Sequence, residues 1–183
     1  MIKTEVDYLI LVNKKNKIPS NWDKKVELVE VVNCFNRTIK VEKETYRNYL
    51  ALKNYLKRNN IEIVIESSYR SIEEQKQTLE QYKEYAAIPG YSEHHTGLAI
   101  DICVYVDNRL IYENDDMIKL KDLFNQIHLS LADYGFILRY PKGKENITGY
   151  NYEPWHFRYV GECAKEIMDN SLTLEEYLNK VEI

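Results

Sequence analysis

The stretch Ser92-Glu93-His94-His95-Thr96-Gly97-Leu98-Ala99-Ile100-Asp101-Ile102-Cys103-Val104 runs from a polar loop with two histidines into an apolar strand. Leu98 to Val104 is a short apolar run of the kind that builds a fully buried strand, and Asp101 is the acidic residue inside it. Taken alone, Asp101 reads as a buried carboxylate paired with a Lys or Arg. His94, however, lies just before Gly97, and a bend from loop to strand can turn His94 and Asp101 toward one point.

Working outward from this strand, the remaining pattern is α+β. Upstream, Pro89-Gly90 breaks the chain. Before that break, Ser71 followed by Glu73 and Glu74 has the form of a capped helix start, predicting a helix over 72–85 with Ile72, Leu79 and Tyr82 on one face. Ile61 to Ile65 is rich in β-branched residues and reads as a strand delivering Ser67-Ser68-Tyr69-Arg70 at its end. An amphipathic helix is predicted from about Val41 to Lys57, stopped by Asn59-Asn60. The first 40 residues read as an arm or short strands, with apolar stretches at Tyr8 to Val12 and Val26 to Val32.

Downstream, Asp107-Asn108 is a turn into Leu110-Ile111-Tyr112, residues 116–134 read as one amphipathic helix ending at Tyr134-Gly135, and Phe136 to Tyr140 as a strand. A short helix and a C-terminal helical tail over 163–183 close the chain. The whole is expected to form a single domain, with 60–162 as its core.

Composition agrees with a folded domain and excludes several functions. The chain has 183 residues, 44% hydrophobic and 30% charged, near globular averages. A formal charge of -4 and a pI near 5.7 lack the basic excess used against phosphates, so nucleic acid is not expected as a partner. The longest apolar run near the N-terminus is too short for an export signal or a membrane span. As it stands the chain reads as cytoplasmic, and as extracytoplasmic if an export segment or anchor has been removed. Cys34, Cys103 and Cys163 form no C-x-x-C pair and read as incidental thiols.

Three of the four histidines, His94, His95 and His156, fall in two short segments that also carry Asp101 and Glu153. Catalytic zinc takes three protein ligands and leaves a position for water, so two His and one carboxylate suffice. In Glu153-Pro154-Trp155-His156 the proline biases Glu153 toward extended backbone. An unbent strand would face Glu153 and His156 to opposite sides, whereas a bend at Pro154 lets both serve one centre. Glu153 could then act as a base on the metal's water, or close the site as a fourth ligand.

These residues carry a family resemblance. Ser92 to Asp101 resembles the S-x-H-x-x-G-x-A-x-D motif of the zinc D-alanyl-D-alanine peptidases, and Glu153-Pro154-Trp155-His156 resembles their E-x-W-H motif; both match in full. Ser68-Tyr69-Arg70-Ser71 with Gln75 is similar to the S-Y-R-S-x-x-x-Q element, and the N-terminal arm resembles that of the VanY and VanXY carboxypeptidases. The resemblance implies the hedgehog/DD-peptidase fold, a small antiparallel sheet flanked by helices. It implies one Zn²⁺ per chain on His94, Asp101 and His156, Glu153 as general base and Arg70 stabilising the oxyanion. Gln75 and Ser92 would hold the substrate's terminal groups.

The implied activity is removal of the C-terminal D-Ala from peptidoglycan precursor peptides by a metal-activated water, as in the vancomycin-resistance enzymes. Alternatives with the same chemistry are an LD-carboxypeptidase and a D,D-dipeptidase. From another class, a non-catalytic peptidoglycan-binding module would keep the metal but have no need of Glu153 and Arg70. His95 is expected at the surface or behind the ligands, His128 as a solvated or satisfied helix residue, and Trp155 as packing beneath the site.

Overall fold

The computed structural model describes residues 6–83 and 86–181. Residues 84 and 85, with which the expected second helix closes, lie outside the described residues, as do 1–5 of the expected arm and 182–183 of the tail.

Two strands, β1 (Leu28–Val32) and β2 (Thr38–Glu42), pair as an antiparallel hairpin. Glu42 ends it and starts the next element: its carboxylate accepts from Thr45 N at 2.8 Å and opens α1 (Lys43–Arg58), satisfying one of the N–H donors a helix start leaves orphaned. Tyr49, Leu52 and Leu56 recur on one face of α1 and are buried. Asn60, at φ 60, turns the chain back into β3 (Glu62–Ser67). Ser71 and Glu74 form a reciprocal capping box at the head of α2 (Ile72–Tyr82).

The central sheet is built on β4 (Ala99–Val106). Along one edge it pairs with β3; along the other, its first residues pair with β7 (His156–Tyr159) and its last with β5 (Arg109–Ile111), all antiparallel. β6 (Phe136–Leu138) continues the sheet beyond β7. Asp107 and Asn108, at φ 49 and 62, make the tight β4–β5 turn, the left-handed geometry that Asp and Asn tolerate. Period-two alternation sends Ile100, Ile102 and Val104 into the main core with Leu52, Phe124 and Phe157. It sends Asp101 to the opposite face, where the site lies.

The expected helix over 116–134 is interrupted. It forms as α3 (Asn114–Met117), α4 (Lys121–Leu131) and a tight turn over Ala132–Tyr134. Leu120, at ψ 48, leaves the helical region between α3 and α4. Met117, Leu120, Phe124, Ile127 and Leu131 keep helical spacing through that break and all reach the core, so their period reads as one helix. Tyr8 to Val12 forms no strand. Its carbonyls at Tyr8 and Ile10 instead accept from the buried Arg158 guanidinium at 2.9 and 2.8 Å.

After α5 (Glu145–Thr148) and β7, the chain ends in α6 (Ala164–Asp169) and α7 (Leu174–Val181). These pack Ile167, Leu174 and Tyr177 with Ile137 and Val160 in a second small core. Among the described residues, no helix is long and apolar enough to cross a membrane.

Candidate active site

Three donors converge on the face of β4 opposite the core. Asp101 and His156 are direct partners across β4 and β7, so their side chains leave the sheet on the same side. Asp101 Oδ1 lies 2.8 Å from His156 Nδ1. His94 comes from the tight turn Glu93–Thr96 that precedes β4, and its Nε2 lies 3.2 Å from Asp101 Oδ2. One ligand atom from each of the three falls within 4.8 Å of the others. Gly97, at φ 72, permits the reversal between turn and strand.

Each imidazole is anchored through its other nitrogen. His94 Nδ1 lies 2.7 Å from the Ser68 carbonyl, where it can only donate. His156 Nε2 lies 3.1 Å from Glu93 Oε2. Both rings therefore turn their remaining nitrogen, His94 Nε2 and His156 Nδ1, toward the Asp101 carboxylate, and each of these offers a lone pair when its ring is neutral. Two imidazole lone pairs and one carboxylate fit a catalytic zinc with an open position, and the carbonyl and carboxylate behind the rings are the outer supports such ligands use. Burial by itself lowers His156, yet Asp101 and Glu93 outweigh it and push its pKa up to about 10. The cluster as a whole demands positive charge. Burial would raise Asp101, but the two histidines hold it well below the usual carboxylate range.

Glu153 joins the cluster through a turn: His156 N donates to the Glu153 carbonyl at 3.3 Å, and the Glu153 carboxylate comes 3.8 Å from His156 Nδ1. The bend at Pro154 thus brings both side chains to one side, the alternative to an unbent strand that the sequence allowed. At 29% exposure the Glu153 side chain is more open than His94, Asp101 or His156. Burial foremost, with Asp101 and Glu93 adding to it against His156, pushes its pKa up to about 7, a value suited to moving protons near neutrality. His128 Nε2 donates to the Pro154 carbonyl at 2.8 Å and Trp155 packs in the main core, so the segment is pinned at its proline and at the residue that follows.

Arg70 approaches from the end of β3. Its backbone N donates to the His94 carbonyl at 3.1 Å, and its guanidinium donates to Gln75 Oε1 at 2.8 Å. Gln75 is buried, and its Nε2 donates to the Ala87 carbonyl at 2.8 Å. Both ends of this amide are engaged within the chain, so Gln75 orients Arg70. Ser92 is buried at the head of the His94 turn, and its side chain does not cap that turn.

His95 is not at the surface. It is 4% exposed, its Nδ1 donates to the Arg70 carbonyl at 2.6 Å, and its Nε2 accepts from Gly90 N at 2.9 Å. It ties the Arg70 backbone to the Pro89-Gly90 loop. Tyr140 is also buried, its ring tilted against the His156 ring at 4.8 Å between centroids.

Sequence reasoning gave no role to Glu93. Its side chain is 1% exposed, with Oε1 accepting from Arg139 Nε and Arg158 Nη1, both at 2.7 Å. Arg139 is shared with Glu175 at 2.7 Å, so two cations and two anions balance inside the protein. Burial would raise Glu93, but the two guanidiniums and His156 hold it far below the usual carboxylate range. The available signal was an acidic residue between Ser92 and His94; its partners lie 46 and 65 residues away.

Comparison with known proteins shows the family and the fold. The family model VanY, D-alanyl-D-alanine carboxypeptidase, matches residues 38–162. The putative carboxypeptidase YodJ of Bacillus subtilis is 37% identical, over 98% of this chain and 70% of that protein. A VanY D,D-pentapeptidase variant from a VanB-type vancomycin-resistance cassette, solved with Zn(II), superposes with a TM-score of 0.79 at 30% identity, covering 94% of this chain and 99% of that one. The LD-carboxypeptidase LdcB superposes at 0.77 with 37% identity, over 94% and 86%. Fold and site together define a zinc metallopeptidase of hedgehog/DD-peptidase type. The chain belongs to the VanY D-alanyl-D-alanine carboxypeptidase family.

Proposed function

We propose that the protein removes the C-terminal D-alanine from peptidoglycan stem peptides or their precursors by hydrolysing the terminal amide. His94, Asp101 and His156 hold the zinc ion. When bound, zinc supplies Lewis-acid charge that makes water more acidic and polarises a carbonyl. Glu153 accepts the proton of the attacking water and delivers it to the departing D-alanine nitrogen, so a C–O bond forms as the C–N bond breaks. The Arg70 guanidinium, held by Gln75, faces the oxygen that becomes negative. Ser92 and, through Arg70, Gln75 set the position of the substrate's terminal groups. We read residues 1–183 as one catalytic unit in which 60–162 carry the site.

The observation that supports this reading is the Glu153 carboxylate beside His156 Nδ1, outside the three-donor set and more exposed than it. A metal module built for structure alone has no use for a base there. In the cytoplasm, the compartment read from the sequence, the substrate would be soluble precursor or recycled peptide; outside the membrane it would be nascent wall.

The test is to incubate the zinc-loaded protein with muropeptides ending in pentapeptide or tetrapeptide and with free D-Ala-D-Ala, following released D-alanine by mass spectrometry. Loss of one D-alanine from the pentapeptide, abolished by a chelator, is expected. Cleavage of only the tetrapeptide or only the dipeptide would replace the substrate, and cleavage of none would favour a binding module.

A further inference from the structure

We infer that Glu93 is a positioning residue that dictates which nitrogen of His156 faces the metal. The inference rests on the metal reading above and adds a residue that touches neither metal nor substrate in it. The Glu93 carboxylate has two different neighbours. Oε1 accepts from Arg139 Nε and Arg158 Nη1, and Oε2 points at His156 Nε2, 3.1 Å away.

Both guanidiniums are fixed by further bonds. Arg139 donates to both Glu175 oxygens, at 2.7 and 2.8 Å. Arg158 donates to the carbonyls of Tyr159, Tyr8 and Ile10. The carboxylate therefore cannot rotate without abandoning two buried cations, and Oε2 presents a fixed acceptor. With Asp101 engaged by the cation, Glu93 Oε2 is the acceptor left to the His156 ring, so the ring proton goes on Nε2 and Nδ1 keeps its lone pair for the metal. Because each imidazole has one donor and one acceptor nitrogen when neutral, this single contact selects the liganding atom.

Glu93→Gln makes the consequence sharp. The two guanidiniums compete for the one amide oxygen, so the amide NH₂ is turned toward His156 Nε2. That nitrogen must then accept, and the proton moves to Nδ1, the atom the metal requires. Glu175→Gln removes the same charge from the same buried cluster without touching His156, and so reports the cost of disturbing the cluster alone.

The experiment compares zinc affinity, by competition with a chromophoric chelator, and histidine ring tautomers, by long-range ¹H–¹⁵N correlation on the zinc-loaded protein. Wild type is expected to carry the His156 proton on Nε2. Glu93→Gln is expected to weaken zinc roughly 10–100-fold, the usual cost of losing an outer support, and Glu175→Gln to stay within about threefold. The inference is overturned if Glu93→Gln binds zinc as wild type does, or if Glu175→Gln weakens it equally. Should Glu93→Gln not fold, the wild-type spectrum still decides: a His156 proton absent from Nε2 overturns the inference. Wild type failing to bind zinc through His94, Asp101 and His156 would instead overturn the metal reading beneath it.

Discussion

Asp101 and His156 face each other directly across β4 and β7, with Oδ1 2.8 Å from Nδ1. Sheet register, rather than a flexible loop, therefore sets the distance between two of the three side chains proposed to hold zinc. Asp101→Asn keeps the shape but removes the charge that balances the cation. It is expected to weaken zinc by more than the roughly 10–100-fold that an outer support is worth and to abolish turnover, measured by chelator competition beside an activity assay.

Arg70 is expected to matter to the reaction and not to the metal. Arg70→Ala should lower kcat roughly 10²–10³-fold, the cost of one oxyanion donor, with zinc content unchanged. Gln75→Ala leaves the guanidinium unanchored and should cost roughly 10-fold in kcat/KM. Equal losses of zinc in both variants would move Arg70 from the chemistry to the scaffold.

Gly97 links the His94 turn to β4 at φ 72, and a Cβ there would lie 2.9 Å from Leu28 Cδ2 and 3.3 Å from Glu42 N. Gly97→Ala should cost about 1–2 kcal/mol from the left-handed backbone alone, with more from the contact with the Glu42 backbone. Urea denaturation of the metal-free protein measures this directly. A midpoint equal to that of wild type would show that the turn can relax.

His128 should impose an acid limit on stability. Burial foremost lowers its pKa to about 4 from the ordinary 6.5. Above pH 6.5 it is neutral in folded and unfolded chains alike. As pH falls from 6.5 toward 4 the unfolded chain takes up the proton first, so stability is lost over that window, by roughly 1–3 kcal/mol. In His128→Gln, which can still donate to the Pro154 carbonyl, the part of the pH dependence due to this group should disappear. Parallel stability curves for the two proteins over pH 4–6.5 would contradict it.

Much of this was legible in the sequence wherever the determinants are local. α1 carries its apolar period and α2 its capping box within a few residues, while Ile72 of the expected apolar face of α2 is exposed, and β4 announces itself by Ala99 to Val104. The two histidine segments pointed to His94, Asp101 and His156, which the fold brings together, and Pro154 pointed to the bend. The supports of the site were hidden because their partners are distant: Glu93 with Arg139 and Arg158, His95 with the Arg70 carbonyl, His128 with the Pro154 carbonyl, and Asn13 with Glu175 across 162 positions. No local period encodes such pairs. The break at Leu120 was hidden for the opposite reason, since the apolar spacing on either side of it stays helical.

The central claim is that Glu153 moves the proton while His94, Asp101 and His156 hold the metal. Glu153→Gln separates the two roles. Zinc bound per chain and D-alanine released from a pentapeptide substrate should be measured on the same preparation. Bound zinc equal to wild type, with release reduced by at least the roughly 10²–10⁴-fold that a general base contributes, is the predicted result. Release at the wild-type rate, or loss of the metal along with the activity, would contradict it.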